Sequence, residues 1–163
     1  MAVQADVFVD GCAIAQVQGV EAAHYQTWIE RWLTALNADL SPIDAYEVNL
    51  RLTNDSEIQQ LNTDYRQKVK PTDVLSFAAL ETDVPGAEAL HRTEPVPLGD
   101  IVISVETAAR QASEQDYSLA QEVAWLCAHG LLHLLGWDHP DEASLQRMLE
   151  KQTHLLNLIG LAR

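Results

Sequence analysis

The order of hydrophobic and polar residues along the chain predicts helices interspersed with strands. Apolar and polar residues alternate from Tyr46 to Leu52, and this period of two indicates a strand with one buried face. From Glu21 to Asn37 the apolar residues recur three and four positions apart, as in an amphipathic helix. Further short strands are predicted at Asp6–Asp10, Val74–Ala79 and Ile101–Val105. This mixture predicts a layered α/β or α+β structure whose strand order stays open.

Capping residues predict where the other helices begin. Asn54, followed three positions later by Glu57, forms a capping-box pattern that opens one helix, and Ser118 with Gln121 opens another. The second of these helices is predicted to run to about Gly136, and it is apolar on nearly all sides, which indicates a central position. The remaining predictions are a helix over Thr107–Gln115, a loop over Thr82–Pro97, and a last helix that begins at Pro140 with Leu145, Met148, Leu149 and Leu156 on its inner face.

Length and composition are typical of a soluble globular protein. The chain has 163 residues, of which 47% are hydrophobic and 21% charged, so we expect one domain with its own core. Two cysteines are too few for a disulfide framework and predict a reduced, cytoplasmic protein. The most apolar stretch, Leu119 to Trp137, contains four polar or ionisable residues, so we expect a core helix there and no membrane span.

The chain is strongly acidic but contains one basic cluster. A net charge of −14 argues against a broad surface for nucleic acid or anionic lipid, although it does not exclude a local basic site. Arg66, Lys68 and Lys70 are three of the ten basic residues and fall within five positions. Taken alone, such a cluster is more typical of a solvated loop than of a binding site.

Three histidines within eleven residues have the spacing of a zinc site. His129 and His133 are four positions apart in the predicted central helix, so at about 100° per residue both imidazoles lie on one face. Gly136 can end the helix in the left-handed conformation, and the chain can then bring His139 to the same point. Three histidines with an open fourth position are usual for catalytic zinc. We therefore expect one Zn²⁺ per chain; the alternative is three core histidines satisfied by hydrogen bonds.

The spacing of the histidines, with Gly136 between the second and third, resembles that of the metzincin peptidases. Those enzymes carry a glutamate next to the first histidine as general base, whereas here Gly130 occupies that position. A general base typically contributes ~10²–10⁴ in rate. A peptidase is therefore disfavoured, although the zinc geometry would be shared.

Three blocks of sequence together resemble one known family. The run His129–His139 is similar to the signature of the YbeY bacterial rRNA maturation factors. Leu61–Arg66 with Thr72–Phe77, and then Leu98–Ser104, resemble two further blocks of that family in the same order. The resemblance covers the chain from about residue 45 to about residue 160.

This resemblance implies a single-strand-specific metallo-endoribonuclease in small-subunit rRNA 3′-end maturation and ribosome quality control. It implies one zinc-dependent domain over residues 1–163, with an α+β fold in which a small mixed sheet is packed with helices. The central apolar helix would carry the zinc motif, with His129, His133 and His139 as ligands, and Arg66 would be the arginine of the cleft. The implied partners are single-stranded RNA, rRNA, and the ribosome or its proteins.

Two kinds of residue are expected to act on the RNA. Arg66 and His129 are the predicted catalytic residues. His129 would hold the metal, and the planar guanidinium of Arg66 can grip two phosphate oxygens beside it. Arg66, Lys68 and Lys70 are predicted to bind substrate, since the two lysines add attraction to the phosphate backbone.

The general base stays open in the sequence. Asp73, Asp100 and Asp138 are candidates, and Asp138 is expected instead to cap the last helix or to orient a ligand. A further alternative is a ribosome assembly factor without catalysis, in which zinc only holds the helix ends. The net charge of −14 favours this alternative, because an acidic face can meet a basic ribosomal protein.

Overall fold

The structure, a computed structural model, describes residues 2–79 and 86–163. Strands and helices are interspersed along these residues, the last three elements are all α-helices, and a 3-10 helix lies at Ile14–Gln16. The strands are β1 (Gln4–Asp10), β2 (Ala45–Thr53), β3 (Val74–Ala78) and β4 (Val96–Ser104). The α-helices are α1 (Ala22–Ala35), α2 (Asp55–Arg66), α3 (Ala87–Leu90), α4 (Val105–Gln115), α5 (Leu119–Leu134) and α6 (Glu142–Leu158).

The four strands form one mixed sheet in the order β1-β2-β4-β3. β1, β2 and β4 are parallel, whereas β3 pairs with β4 in the antiparallel direction. In β2, Tyr46, Val48, Leu50 and Leu52 are fully buried and the residues between them are partly or fully exposed, as their alternation predicts. The predicted α+β class with a small mixed sheet is confirmed.

Different helices cover the two faces of the sheet. Leu50 and Ile103 point into the main core, which they share with residues of α1, α5 and α6. On the opposite face, Val102 and Leu75 pack against Ile58 of α2 in a smaller cluster. Alternate residues of β4 therefore stabilise two separate packing layers.

The central helix predicted from the apolar pattern is α5. Ten of its sixteen residues are buried, and it contacts α4, α6, β3 and β4. Its predicted capping box is present, since the Ser118 hydroxyl accepts from the Gln121 N–H and the Gln121 side chain accepts from the Ser118 N–H. Among the described helices, none combines the length and the apolar character needed to cross a membrane.

The predicted loop over Thr82–Pro97 is wrong in part. α3 lies within it and β4 begins at Val96, while residues 82–85 lie outside the described residues. Pro97 stands opposite Glu47, where the register between β2 and β4 shifts. Such an irregularity tolerates a residue that has no backbone N–H to donate, so this proline does not end the strand.

Two helices begin at other residues than predicted. Val105, expected at the end of a strand, is the first residue of α4, because the Ser104 hydroxyl caps that helix by accepting from the Thr107 N–H. α6 begins after Pro140, because Asp141 is its N-cap. In both cases a capping side chain sets the boundary.

Candidate metal centre

The three predicted ligands come together at the C-terminal end of α5. His129 and His133 lie one turn apart, with their Nε2 atoms 3.0 Å from each other. Gly136, with φ of 96°, ends the helix in the left-handed conformation, and the Trp137 N–H closes the turn by donating back into the helix. His139 then returns to the cluster, so that the ligand atoms of the three histidines all lie within 4.8 Å of one another.

These donor atoms are suited to a metal ion. Burial lowers the pKa of His129, and burial together with the two neighbouring imidazoles lowers the pKa of His133, so both rings are held neutral. A neutral imidazole has a free lone pair for a metal. Tetrahedral zinc, with bonds of about 2.1 Å, separates its nitrogen ligands by about 3.4 Å, which lies between the 3.0 Å that separates the two Nε2 atoms and the 4.8 Å that bounds the whole set. Since His139 is exposed, the outer side of the cluster leaves room for a further ligand.

Gln152 of α6 is a partner of the cluster that the sequence analysis missed. Its Oε1 lies 3.2 Å from His129 Nδ1, and its Nε2 donates to the Trp125 carbonyl at 3.3 Å. The side chain is fully buried. A glutamine among the apolar residues of the inner face of α6, between Met148 and Leu156, is the sequence signal that would have identified it.

Arg66, Lys68 and Lys70 line the same cavity as the three histidines. This cavity of about 800 Å³, the histidine cleft, is also lined by Ser76, Trp137 and Asp138, among others. Arg66 ends α2, and both lysines are exposed in the segment that follows. No salt bridge joins any of these three cations to a carboxylate within residues 2–79 and 86–163.

The guanidinium of Arg66 is held against β3. Its Nη2 donates to the Ser76 carbonyl at 2.8 Å, and its central carbon lies 5.4 Å from the centre of the Phe77 ring. The Ser76 hydroxyl donates to the Gly130 carbonyl at 3.2 Å. Ser76 therefore lies within β3, as the predicted strand places it, and contacts both Arg66 and the helix that carries two of the histidines.

A buried asparagine holds the segment that carries the two lysines. Asn62 Nδ2 donates to the Lys70 carbonyl at 3.0 Å, and the Asn62 carbonyl accepts from the Lys68 N–H at 3.2 Å. Asn62 is only 3% exposed. The backbone at the rim of the histidine cleft is thus fixed to α2, while the lysine side chains stay in solvent.

Gly130 leaves no room for the glutamate that a metzincin carries at this position. A Cβ built there would lie 2.7 Å from Ile101 Cγ2 and 3.1 Å from Ser76 Oγ. α5 therefore approaches the sheet through bare backbone at this point. A peptidase base at this position would require β4 and α5 to move apart.

The three aspartates proposed as general bases lie in different places. Asp138 lines the histidine cleft, but its carboxylate accepts from the His139 N–H at 2.8 Å and does not cap α6. Asp73 caps its own turn, accepting from the Val74 N–H at 2.8 Å. Asp100 lines a separate cavity. Asp138 is thus the one of the three that lines the cleft.

That separate cavity, the second cleft, has a volume of about 670 Å³. Its lining includes Asp10, Arg51, Glu57 and Asp100. Arg51 forms an ion pair with Glu57 and donates to Asp10 at 3.1 Å, so its charge is compensated within the cleft.

Comparison with known proteins identifies the family. A model of the endoribonuclease YbeY family matches residues 13–160. An endoribonuclease YbeY of Trichormus variabilis is 51% identical over 98% of this chain and 96% of that protein, and one of a Nostoc species is 57% identical over 87% and 77%. A solution structure of a Thermotoga maritima protein, 24% identical, shares the fold with a TM-score of 0.59 over 94% of this chain and 89% of that chain. The chain belongs to the YbeY endoribonuclease family.

Proposed function

We propose that this protein is a zinc-dependent endoribonuclease that cleaves single-stranded RNA. The observation that carries the proposal is one cleft lined by three histidines able to hold a metal and by three cations that pair with none of the carboxylates the structure describes. Residues 1–163 act as one catalytic domain. Following the family, the substrate is rRNA at the 3′ end of the small subunit, in maturation and in ribosome quality control in the cytoplasm.

The chemistry divides between the metal and the protein. One zinc ion held by His129, His133 and His139 would supply an activated water and Lewis-acid stabilisation of the phosphoryl oxygens. Arg66 binds the scissile phosphate or an adjacent one, because its contact with Ser76 uses one N–H group and leaves others to grip phosphate oxygens.

The surroundings of the cleft support a single-stranded substrate. Trp137 is a partly exposed aromatic residue in the lining, and an unpaired base can stack on such a ring whereas a paired base cannot. Lys68 and Lys70 are exposed at the rim, where they attract the phosphate backbone. The chain as a whole has a net charge of −14, which favours contact with a basic ribosomal protein rather than broad contact with RNA.

Turnover of a labelled single-stranded oligoribonucleotide by the zinc-loaded protein tests the proposal, with the same sequence in a duplex as comparison. We expect cleavage of the single strand that stops on chelation and returns with zinc. An Arg66→Ala protein freed of metal should be inactive while its circular dichroism is unchanged. Full activity of that protein would contradict the proposal.

The same assay separates the alternatives. A ribosome assembly factor in which zinc holds the helix ends would bind RNA or ribosomes without any turnover, whatever the metal content. A peptidase would cleave casein and leave RNA intact. The packing of Gly130 against Ile101 argues against the peptidase, since it leaves no space for the usual base.

A further inference from the structure

The most buried polar contact of the metal cluster is made by an amide of α6. Gln152 is 0% exposed and is held at both ends of its amide group. Its Nε2 donates to the Trp125 carbonyl at 3.3 Å, and its Oε1 lies 3.2 Å from His129 Nδ1. Trp125 precedes His129 by one turn of α5, so the amide spans the helical turn that carries the ligand.

The direction of this amide follows from its partners. A carbonyl only accepts hydrogen bonds, so the NH₂ group must face Trp125. In the opposite orientation, Oε1 would face the Trp125 oxygen and two acceptors would repel each other. Oε1 must therefore face His129, and it too is only an acceptor.

This direction also fixes where His129 carries its proton. With an acceptor at 3.2 Å, Nδ1 must be the protonated nitrogen of the neutral ring. Nε2 then keeps its lone pair, and it is Nε2 that lies 3.0 Å from His133 Nε2 in the cluster. Partners of this kind orient ligand rings in metal proteins generally.

We propose that Gln152 is a positioning residue that holds His129 in the tautomer with a free Nε2 lone pair and thereby raises the affinity of the cluster for zinc. The inference rests on the metal part of the proposed function and not on its RNA substrate. Gln152 itself is absent from the lining of the histidine cleft, so it acts only through His129.

Zinc affinity and the imidazole tautomer are the two readouts. Gln152→Met fills the same space without an acceptor, so we expect the zinc dissociation constant, measured against a chromophoric chelator, to rise about 10–100-fold. In nitrogen-15 spectra of the metal-free protein, His129 should carry its proton on Nδ1. In Gln152→Met the proton should move toward Nε2, where His133 can accept it. Gln152→Glu keeps the acceptor and, protonated in this buried position, can donate its O–H to the Trp125 carbonyl, so it should retain both the tautomer and most of the affinity.

A matched variant separates positioning from packing. Leu155→Val shortens another fully buried side chain of α6, and it should lower stability without changing zinc affinity or tautomer. The inference is overturned if Gln152→Met keeps the wild-type tautomer, or if its zinc affinity falls no more than that of Leu155→Val. A wild-type protein that binds zinc but leaves RNA intact would refute the proposed function while leaving this result valid.

Discussion

The two clefts of this protein are similar in size but use their charged residues differently. In the second cleft Arg51 is paired with Glu57 and Asp10, so its charge is compensated by the protein itself. In the histidine cleft, Arg66 donates to a neutral carbonyl of Ser76, and none of the described carboxylates pairs with it. The first arrangement stabilises the fold, whereas the second leaves charge available for a ligand.

The difference shows why composition alone is a poor guide to this site. A net charge of −14 describes the whole surface, but binding depends on a few groups without internal partners. One cleft brings together three histidines whose ligand atoms can meet at one ion and three cations that form no salt bridge with any described carboxylate. Substitutions in the histidine cleft should therefore change activity, and substitutions in the second cleft should change stability.

Removal of a metal ligand should have the largest effect. We expect His133→Ala to lose bound zinc and to reduce RNA cleavage below detection, because two histidines cannot complete the three-ligand site. Metal analysis and a gel assay of cleavage measure both effects. His154→Ala, an exposed histidine on α6, is the control and should keep both properties. Equal losses in the two variants would show that the effect is not specific to the cluster.

The two arginines offer the most direct test of the comparison. Arg66→Ala should lower the rate of cleavage by about 10²–10³-fold, as expected for the loss of one group that stabilises charge on a phosphate. Arg51→Ala should leave the rate unchanged. It should cost at most about 1 kcal/mol of unfolding free energy, because the Arg51 side chain is 40% exposed and water weakens its ion pairs. The opposite outcome, with activity lost only in Arg51→Ala, would move the site to the second cleft.

The contact between α5 and the sheet should be sensitive to a single methyl group. Gly130→Ala places a Cβ 2.7 Å from Ile101 Cγ2, and we expect a loss of about 1–3 kcal/mol in urea unfolding. Combining it with Ile101→Ala should cost less than the sum of the two changes, with a coupling of about 0.5–3 kcal/mol. Strict additivity would mean that the two residues do not limit the approach of helix and strand.

The rim lysines should contribute less, and through salt-dependent attraction. Lys68→Ala and Lys70→Ala should each weaken RNA binding modestly for every sequence. Each should also reduce the slope of log affinity against log salt by roughly one. Arg147→Ala, an exposed cation on α6 outside the cleft, should leave the slope unchanged.

The smallest expected effect is a pH dependence of the unfolding free energy that arises from the second cleft. Hydrogen bonds from Arg51 hold the pKa of Glu57 below its ordinary value of 4.5. A depressed pKa contributes stability above that ordinary value, and the contribution is lost as the pH falls through the folded-state pKa. The difference in unfolding free energy between wild type and Glu57→Gln should therefore be largest near neutral pH and shrink in acid. A difference that grows in acid would contradict this assignment.

Features set by local sequence were predicted well. The alternation in β2, the apolar helix α5, its Ser118 capping box and the histidine spacing all depend on neighbours within a few residues. Of the two hydrogen bonds of the predicted capping box at Asn54, only the one from the Glu57 N–H to the Asn54 side chain is present. The Glu57 carboxylate accepts from Arg51 instead of from the Asn54 N–H. A competing partner on β2 thus overrides a local signal.

Features set by contacts distant in sequence did not follow from the local pattern of residues. β4 extends back to Val96 because β2 supplies its hydrogen-bond partners. Pro95 and Pro97 make the same region look like a loop in the sequence. The side-by-side position of Arg66 and the histidines was expected only from the family resemblance, because it depends on β3 lying at the edge of the sheet next to α5. The place of Gln152 on the inner face of α6 marks it as unusual, but its role could not be assigned because its partner His129 lies 23 positions away along the chain.

Ser76 fixes the spacing between the two sides of the histidine cleft. Its carbonyl holds Arg66 and its hydroxyl holds α5 at Gly130, so one residue of β3 spaces the phosphate-binding side from the metal-binding side. A slip of β3 by a single position would turn the opposite face of the strand toward α5 and break both contacts together. Changes of length in the surrounding loops should be tolerated more readily than any change in the alignment of this short edge strand.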